Sequence, residues 1–243
     1  MIPDKANIIA QLQREILPLE GYKPVSHGLH ELAGLGVINH AFPNRQFPLG
    51  AIHEFLWADG NDKAATGGFV AGILAALMKR GGNCIWIGRE QTVFPPALKA
   101  FGIDPERMVF IAAQKEKEIL WVVEEALKCD ALAGVVGEVR DLSFTASRRL
   151  QLAVEQSQVT GFMLHDTCGN INTTACVARW KITPVSSDLN GDIPGLGFPK
   201  WNVELLKVRN GKAGSWQLEW KQGRFRQVSA LKLITEEEQR KVG

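Results

Sequence analysis

Ala51-Ile52-His53-Glu54-Phe55-Leu56-Trp57 runs directly into Ala58-Asp59-Gly60-Asn61-Asp62-Lys63-Ala64-Ala65-Thr66, and that junction decides the fold. The first seven residues form an apolar run interrupted only by His53 and Glu54, which predicts a strand. The next nine read as a polar connection. Residues 67–80 then set Phe69, Val70, Ile73, Leu74 and Leu77 on one helical face. Gly68 and Gly72, four apart, let such a helix lie close against a sheet.

Working outward, the alternation continues. Residues 83–88 read as a buried strand carrying Cys84, Ile85, Trp86 and Ile87, and residues 95–101 as a short helix stopped by Gly102. Strands are expected at 107–112, 132–139 and 161–165, with helices at 117–128 and 145–158. Strands with continuous apolar runs, separated by helices, indicate a mostly parallel sheet covered on both faces, a three-layer α/β core. After Ile182 the grammar changes. Residues 183–200 read as a loop. The alternating segments 201–208 and 215–221, joined by Asn210-Gly211-Lys212-Ala213-Gly214, read as a β-hairpin, with a further short strand at 224–228.

The chain divides accordingly. Residues 1–48 supply an N-terminal helix (7–17, ended by Pro18) and a wrapping segment. Residues 49–182 are the core, 183–228 the loop and hairpin of the same domain, and 229–243 a charged, frayed tail.

With 243 residues, 45% hydrophobic and 22% charged, the chain has ample material for a core, which excludes wholesale disorder. No apolar run approaches the ~18 residues of a membrane-spanning helix. Four cysteines without a C-x-x-C pair make a disulfide framework unexpected, so the cytoplasm is the default compartment. The net charge of +2 conceals an asymmetry: from residue 199 onward ten Lys/Arg face five Asp/Glu, whereas the rest holds 18 against 21. The C-terminal part is therefore a candidate contact surface for something acidic.

In an open α/β sheet, ligands bind outside the carboxyl ends of the strands. A phosphate loop would thus lie at residues 57–66. It needs glycines to curl backbone N–H groups around phosphate, a lysine, and a hydroxyl for Mg²⁺. Lys63 supplies the charge. Trp57 and Asp62 stand where glycines are required, Ala64 replaces the hydroxyl, and Asp59 and Asp62 repel phosphate, so the expected loop is degenerate. His27 and His30 beside Glu31 fall short of the three or four ligands a metal needs. His165-Asp166 ends a strand without a nucleophile elbow. Arg148 and Arg149 read as solvated.

Three of seven tryptophans, Trp201, Trp216 and Trp220, fall in the hairpin region beside Lys207, Arg209, Arg224, Phe225 and Arg226. Aromatics interleaved with basic residues stack bases and neutralise phosphates. The same composition suits a protein–protein hot spot, or tryptophans that simply cover a sheet edge. All three readings stand at this point.

The order of elements resembles a RecA-type recombinase core, a P-loop NTPase-type fold. More closely, the chain resembles the ImuA family of bacterial mutasome accessory proteins. The resemblance rests on Phe47-Pro48-Leu49-Gly50-Ala51-Ile52-His53-Glu54, on residues 97–103 with Gly102-Ile103-Asp104, on Arg148-Arg149-Leu150-Gln151-Leu152-Ala153, and on Trp201-Asn202-Val203-Glu204-Leu205-Leu206-Lys207. It covers roughly residues 25 to 225. Against an active recombinase, Glu90 stands where the water-orienting carboxylate is expected. The strand-end metal acid is replaced by Gly137, with Glu138 one place on and expected to face away.

The degenerate loop points to a catalytically inert RecA-like adaptor, and the resemblance implies a role in DNA-damage-induced mutagenesis. Its partners would be an ImuB-type protein similar to Y-family polymerases, an error-prone DnaE-type polymerase, and RecA. No cofactor or metal is expected. The alternatives are a divergent ATPase that holds ATP and Mg²⁺ with Lys63 and Glu90, or a module binding single-stranded DNA through the basic aromatic hairpin.

Overall fold

The computed structural model describes residues 35–167, 172–187 and 197–228. The expected helix at 7–17, His27, His30 and the tail 229–243 lie outside the described residues.

Strand β1 (Ile52–Trp57) is buried along nearly its whole length, which is why it reads as one apolar run. It follows a short helix α1 (Gly36–Asn39) and a 3₁₀ turn, Pro43–Arg45. This lead-in segment buries Leu35, Ile38, Phe42 and Phe47 in the core. Helix α2 (Gly60–Met78) is apolar nearly all round and correspondingly buried on several sides. Strand β2 (Asn83–Gly88) leads to Pro95–Phe101, expected as a helix and found as a 3₁₀ helix, with Gly102 left-handed at φ 80° where the stop was expected.

Strand β3 (Met108–Ala112), helix α3 (Glu116–Leu127), strand β4 (Leu132–Glu138), helix α4 (Phe144–Ser157) and strand β5 (Thr160–Asp166) match the expected alternation to within a residue or so. Ser143 caps α4 by accepting from Ala146 N at 3.1 Å. Strand β6 (Ala178–Val185) was not foreseen, and it corrects the expected loop at 183–200, whose first three residues complete it. Strands β7 (Lys200–Val208), β8 (Gly214–Lys221) and β9 (Arg224–Gln227) form the expected C-terminal meander.

Among the described residues, nine strands make one sheet in the order β3-β2-β4-β5-β1-β6-β7-β8-β9. The strands from β3 to β6 run parallel, and β6 is the junction. It pairs parallel with β1 (Phe55↔Trp180) and antiparallel with β7 (Trp180↔Leu205). The meander thereby extends the core sheet.

The two sides of the sheet differ in chemistry. Beneath α3 and α4 the packing is aliphatic, centred on Ile52, Val123, Leu127, Val135, Leu150 and Met163. Against α2 it is aromatic. Phe55 stacks on Trp180 at 5.9 Å, and Phe69 meets Phe225 at 4.9 Å. Gly68 and Gly72 face rings there, as their spacing suggested. A Cβ at Gly72 would lie 2.5 Å from Phe225 Cζ and 3.0 Å from Trp220 Cζ3.

Candidate functional site

The strand-to-helix connection after β1 consists of Ala58 and Asp59 alone, since α2 already begins at Gly60. This corrects the expected polar connection over 58–66. Asp59 is extended and its carboxylate accepts from Asn61 N at 2.8 Å and Asp62 N at 2.9 Å. Asp62 reaches back to Ala58 N at 3.3 Å. The two aspartates are helix-start signals, a cap and a reciprocal partner three residues on. They also place two carboxylates at the positive end of the helix, where an anionic ligand would otherwise dock.

Lys63 therefore projects from the first turn of a helix. Its Nζ lies 2.7 Å from Glu138 Oε2, and 5.1 Å from the centroid of the Trp57 ring. Glu138 was expected to face away, and it does not. Gly137 is the residue on the α3 side, where a Cβ would sit 2.7 Å from Val123 Cγ2 and 3.0 Å from the Met163 methyl. Glu138 points to the α2 side, with its side chain 8% exposed. Its Oε1 accepts from Trp86 Nε1 at 2.7 Å and Thr92 Oγ1 at 2.6 Å. A buried carboxylate so fully partnered is neutralised in place.

This ion pair separates two cavities. The smaller, about 310 Å³, opens at the strand carboxyl ends and is bordered by Trp57, Arg89, Glu90, Glu116 and Arg140 as well as the pair itself. Lys63 and Glu90 thus share one cavity, with Glu90 exposed on its rim. The larger, about 480 Å³, lies along α2 between Trp86, Phe94, Phe101 and Trp201. Among the described residues no cluster of three His, Cys, Asp or Glu could hold a metal.

On the opposite side of the sheet, Glu54 is buried in a second network. It accepts from His165 Nε2 at 2.8 Å, Thr174 Oγ1 at 2.8 Å, and Arg179 Nε at 2.7 Å and Nη2 at 3.3 Å. Burial alone would raise its carboxyl, but these bonds and the guanidinium charge outweigh it and hold the group below the usual carboxylate range. His165 is therefore a buried partner of Glu54 and lines neither of the two cavities. His53 next door is also enclosed. Trp180 Nε1 donates to its Nδ1 at 3.3 Å, so the ring proton sits on Nε2 and is donated to Pro48 O at 2.7 Å. Burial pulls its pKa from 6.5 to about 4, with the Pro48 bond opposing weakly. Burial also pushes the Cys84 and Cys176 thiols up to about 12.

The hairpin residues divide. Trp201, Trp220 and Phe225 are 3%, 4% and 2% exposed, packed under α2, so they are core side chains and not the contact residues their composition suggested. Trp220 Nε1 donates to Ala100 O at 3.2 Å. Strand alternation explains the misreading: Arg224 and Arg226 flank Phe225 and point to the other face. Trp216 is half-buried, folded over Gly214. Arg209 donates to Ala175 O at 2.8 Å, and Arg226 to Gln222. Lys207 and Arg224 remain exposed. Arg148 and Arg149 pair with Glu155 and Glu124 on the helical surface. Trp86, Thr92 and Arg179 escaped the sequence reading, since each acts through a partner more than forty residues away.

No family model matches the chain. Among solved structures, the crystal structure of the RadB recombinase superposes with a TM-score of 0.52 at 13% identity, covering 76% of this chain and 93% of that one. That likeness shows the fold, a RecA-like α/β architecture. Among curated proteins, Protein ImuA of Caulobacter vibrioides, from two strains, is 35% identical over 194 residues, covering 75% of this chain and 80% of the relative. At that identity and coverage, the chain belongs to the ImuA family.

Proposed function

We propose that this protein is a non-catalytic RecA-like adaptor in DNA-damage-induced mutagenesis. It recruits or regulates an ImuB-type, Y-family-like partner together with an error-prone DnaE-type polymerase, and contacts RecA. Family membership supports the biological setting. The inert part rests on one observation: the connection after β1 is two residues long and its helix end is occupied by Asp59. Phosphoryl transfer works by positioning and charge stabilisation around the phosphates and Mg²⁺. Here the Asn61 and Asp62 backbone N–H groups are taken by Asp59, and Lys63 is paired with Glu138.

Isothermal calorimetry with ATP and Mg²⁺ tests the inert part, and no saturable heat is expected. Micromolar binding with turnover that disappears in Lys63→Ala would overturn it. Co-purification with the ImuB-type protein tests the adaptor part. The DNA-binding alternative loses its stacking platform with the burial of Trp201, Trp220 and Phe225. It retains exposed Lys207 and Arg224 and half-buried Trp216, Arg209 and Arg226, and a salt-dependent shift of single-stranded DNA lost in Trp216→Ala with Arg224→Ala would revive it.

A further inference from the structure

The basic surplus past residue 199 has a place in the fold that the burial of the tryptophans leaves untouched. On one side of the sheet, helices α3 and α4 pack over β2, β4 and β1. Strands β7, β8 and β9 run on beyond them, and among the described residues no helix packs on that side of the meander. Strand alternation sends the apolar residues of these strands under α2 and the polar ones to this open face. The register shows which side chains meet there. Lys181 lies opposite Glu204, and Lys200 opposite Glu219, which is itself opposite Arg226. Lys221 lies opposite Arg224, and Lys207 opposite Arg179, whose guanidinium is already held by Glu54. Arg179 apart, these are six cations against two carboxylates.

The Lys221–Arg224 pair costs the hairpin stability, because like charges directly opposite each other repel. A carboxylate at either position would remove that cost, as Glu219 does between Lys200 and Arg226. A polyanion lying across the face relieves it as well. An acidic protein suits the face poorly. A protein hot spot centres on an apolar or aromatic anchor, whereas the large exposed apolar side chains here, Phe198 and Leu206, stand at the two ends of β7. Between the cations runs a neutral row of Thr183, Asn202 and Gln217, side-chain types that join Lys and Arg in bonding phosphate oxygens. Stacking, on which single strands rely, has little to use: Trp201, Trp220 and Phe225 are buried under α2, and Lys221 covers the Phe198 ring at 4.7 Å. A duplex presents its phosphates outward and needs no stacking.

We infer that the open face of β6 to β9 binds the phosphate backbone of duplex DNA without reading its sequence. Charge and register carry the backbone chemistry. The choice of DNA rests on the proposed role in DNA-damage-induced mutagenesis, which this surface deepens by giving the adaptor its own hold on the duplex.

Fluorescence anisotropy of a labelled DNA duplex of mixed sequence, titrated with the full chain over a series of salt concentrations, tests it. Saturable binding is expected, indifferent to sequence, with log K falling linearly as log salt rises. Lys221→Gln with Arg224→Gln should weaken binding at least tenfold at low salt and reduce the slope by about two. The melting temperature of that variant should hold or rise, since the repulsion is gone, which separates lost binding from lost folding. Lys79→Gln with Arg80→Gln removes the same charge at the exposed end of α2 and should leave binding within about twofold. Absence of saturable binding, an equal loss in both double variants, tighter binding of oligo-dT or of an RNA duplex, or displacement by polyglutamate of matched charge would each overturn the inference. Capture of the ImuB-type partner separates it from the adaptor reading. No capture by wild type defeats the adaptor reading, and the anisotropy still decides the duplex surface.

Discussion

Gly67 and Gly72 sit five residues apart on α2 in opposite surroundings. At Gly72 the rings of Phe225 and Trp220 press on the bare backbone, while at Gly67 an added Cβ would only touch Trp86 Cη2 at 4.0 Å. The same residue type thus serves close packing at one position and vacancy at the other. The half of α2 beneath β7–β9 is committed to holding the fold. The half nearest β1 borders the larger cavity.

Filling Gly72 should break this contrast most severely. Gly72→Leu forces a side chain into rings that have nowhere to move, and a loss of about 3 kcal/mol or more is expected from urea unfolding. Pairing it with Phe225→Ala should recover part of that loss, because the two positions share one contact. Next in size is acid titration of the packed half, where His53 stacks on Phe47 at 4.3 Å and bonds Trp180. With a folded pKa of about 4 against 6.5, the unfolded chain takes up a proton between those values that the folded chain refuses. The His53 contribution is full above pH 6.5 and is lost as pH falls through 4. Its total is about 3 kcal/mol, read as a falling denaturation midpoint; His53→Gln should flatten that dependence. At the other half, Asp59→Ala removes the cap and should cost about 1 kcal/mol. The smallest effect has the opposite sign. Gly67→Ala should stabilise by about 0.5–1 kcal/mol, since the methyl meets no obstacle.

Much of the architecture was legible from periodicity. The β2 to β5 alternation follows from apolar runs and helical faces, and the meander from Asn210-Gly211 between alternating segments. The start of α2 was obscured because Asp59 and Asp62 were weighed as charges against phosphate, although their spacing is that of a cap. Strand β6 was passed over even though Ala178, Trp180 and Ile182 alternate with Arg179 and Lys181; Pro184 and the change in chain composition masked it. Lys63 and Glu90, read from the sequence as a vestigial nucleotide site, border one strand-end cavity. The direction of Glu138 depended on where β4 begins its alternation, which one residue of phase decides. Burial of Trp201 and Trp220 depended on what faces the meander, and that is long-range information.

The position of β1 also has a kinetic consequence. The first strand of the sheet lies between β5 and β6, whose residues emerge more than a hundred positions later in synthesis. Until they do, Ile52, Phe55 and Leu56 have no strand on either side. Loop closure of that length must precede any reward from pairing, which slows folding and leaves an apolar edge exposed meanwhile. For this chain, the growing polypeptide on the ribosome is the stage most in need of chaperone cover.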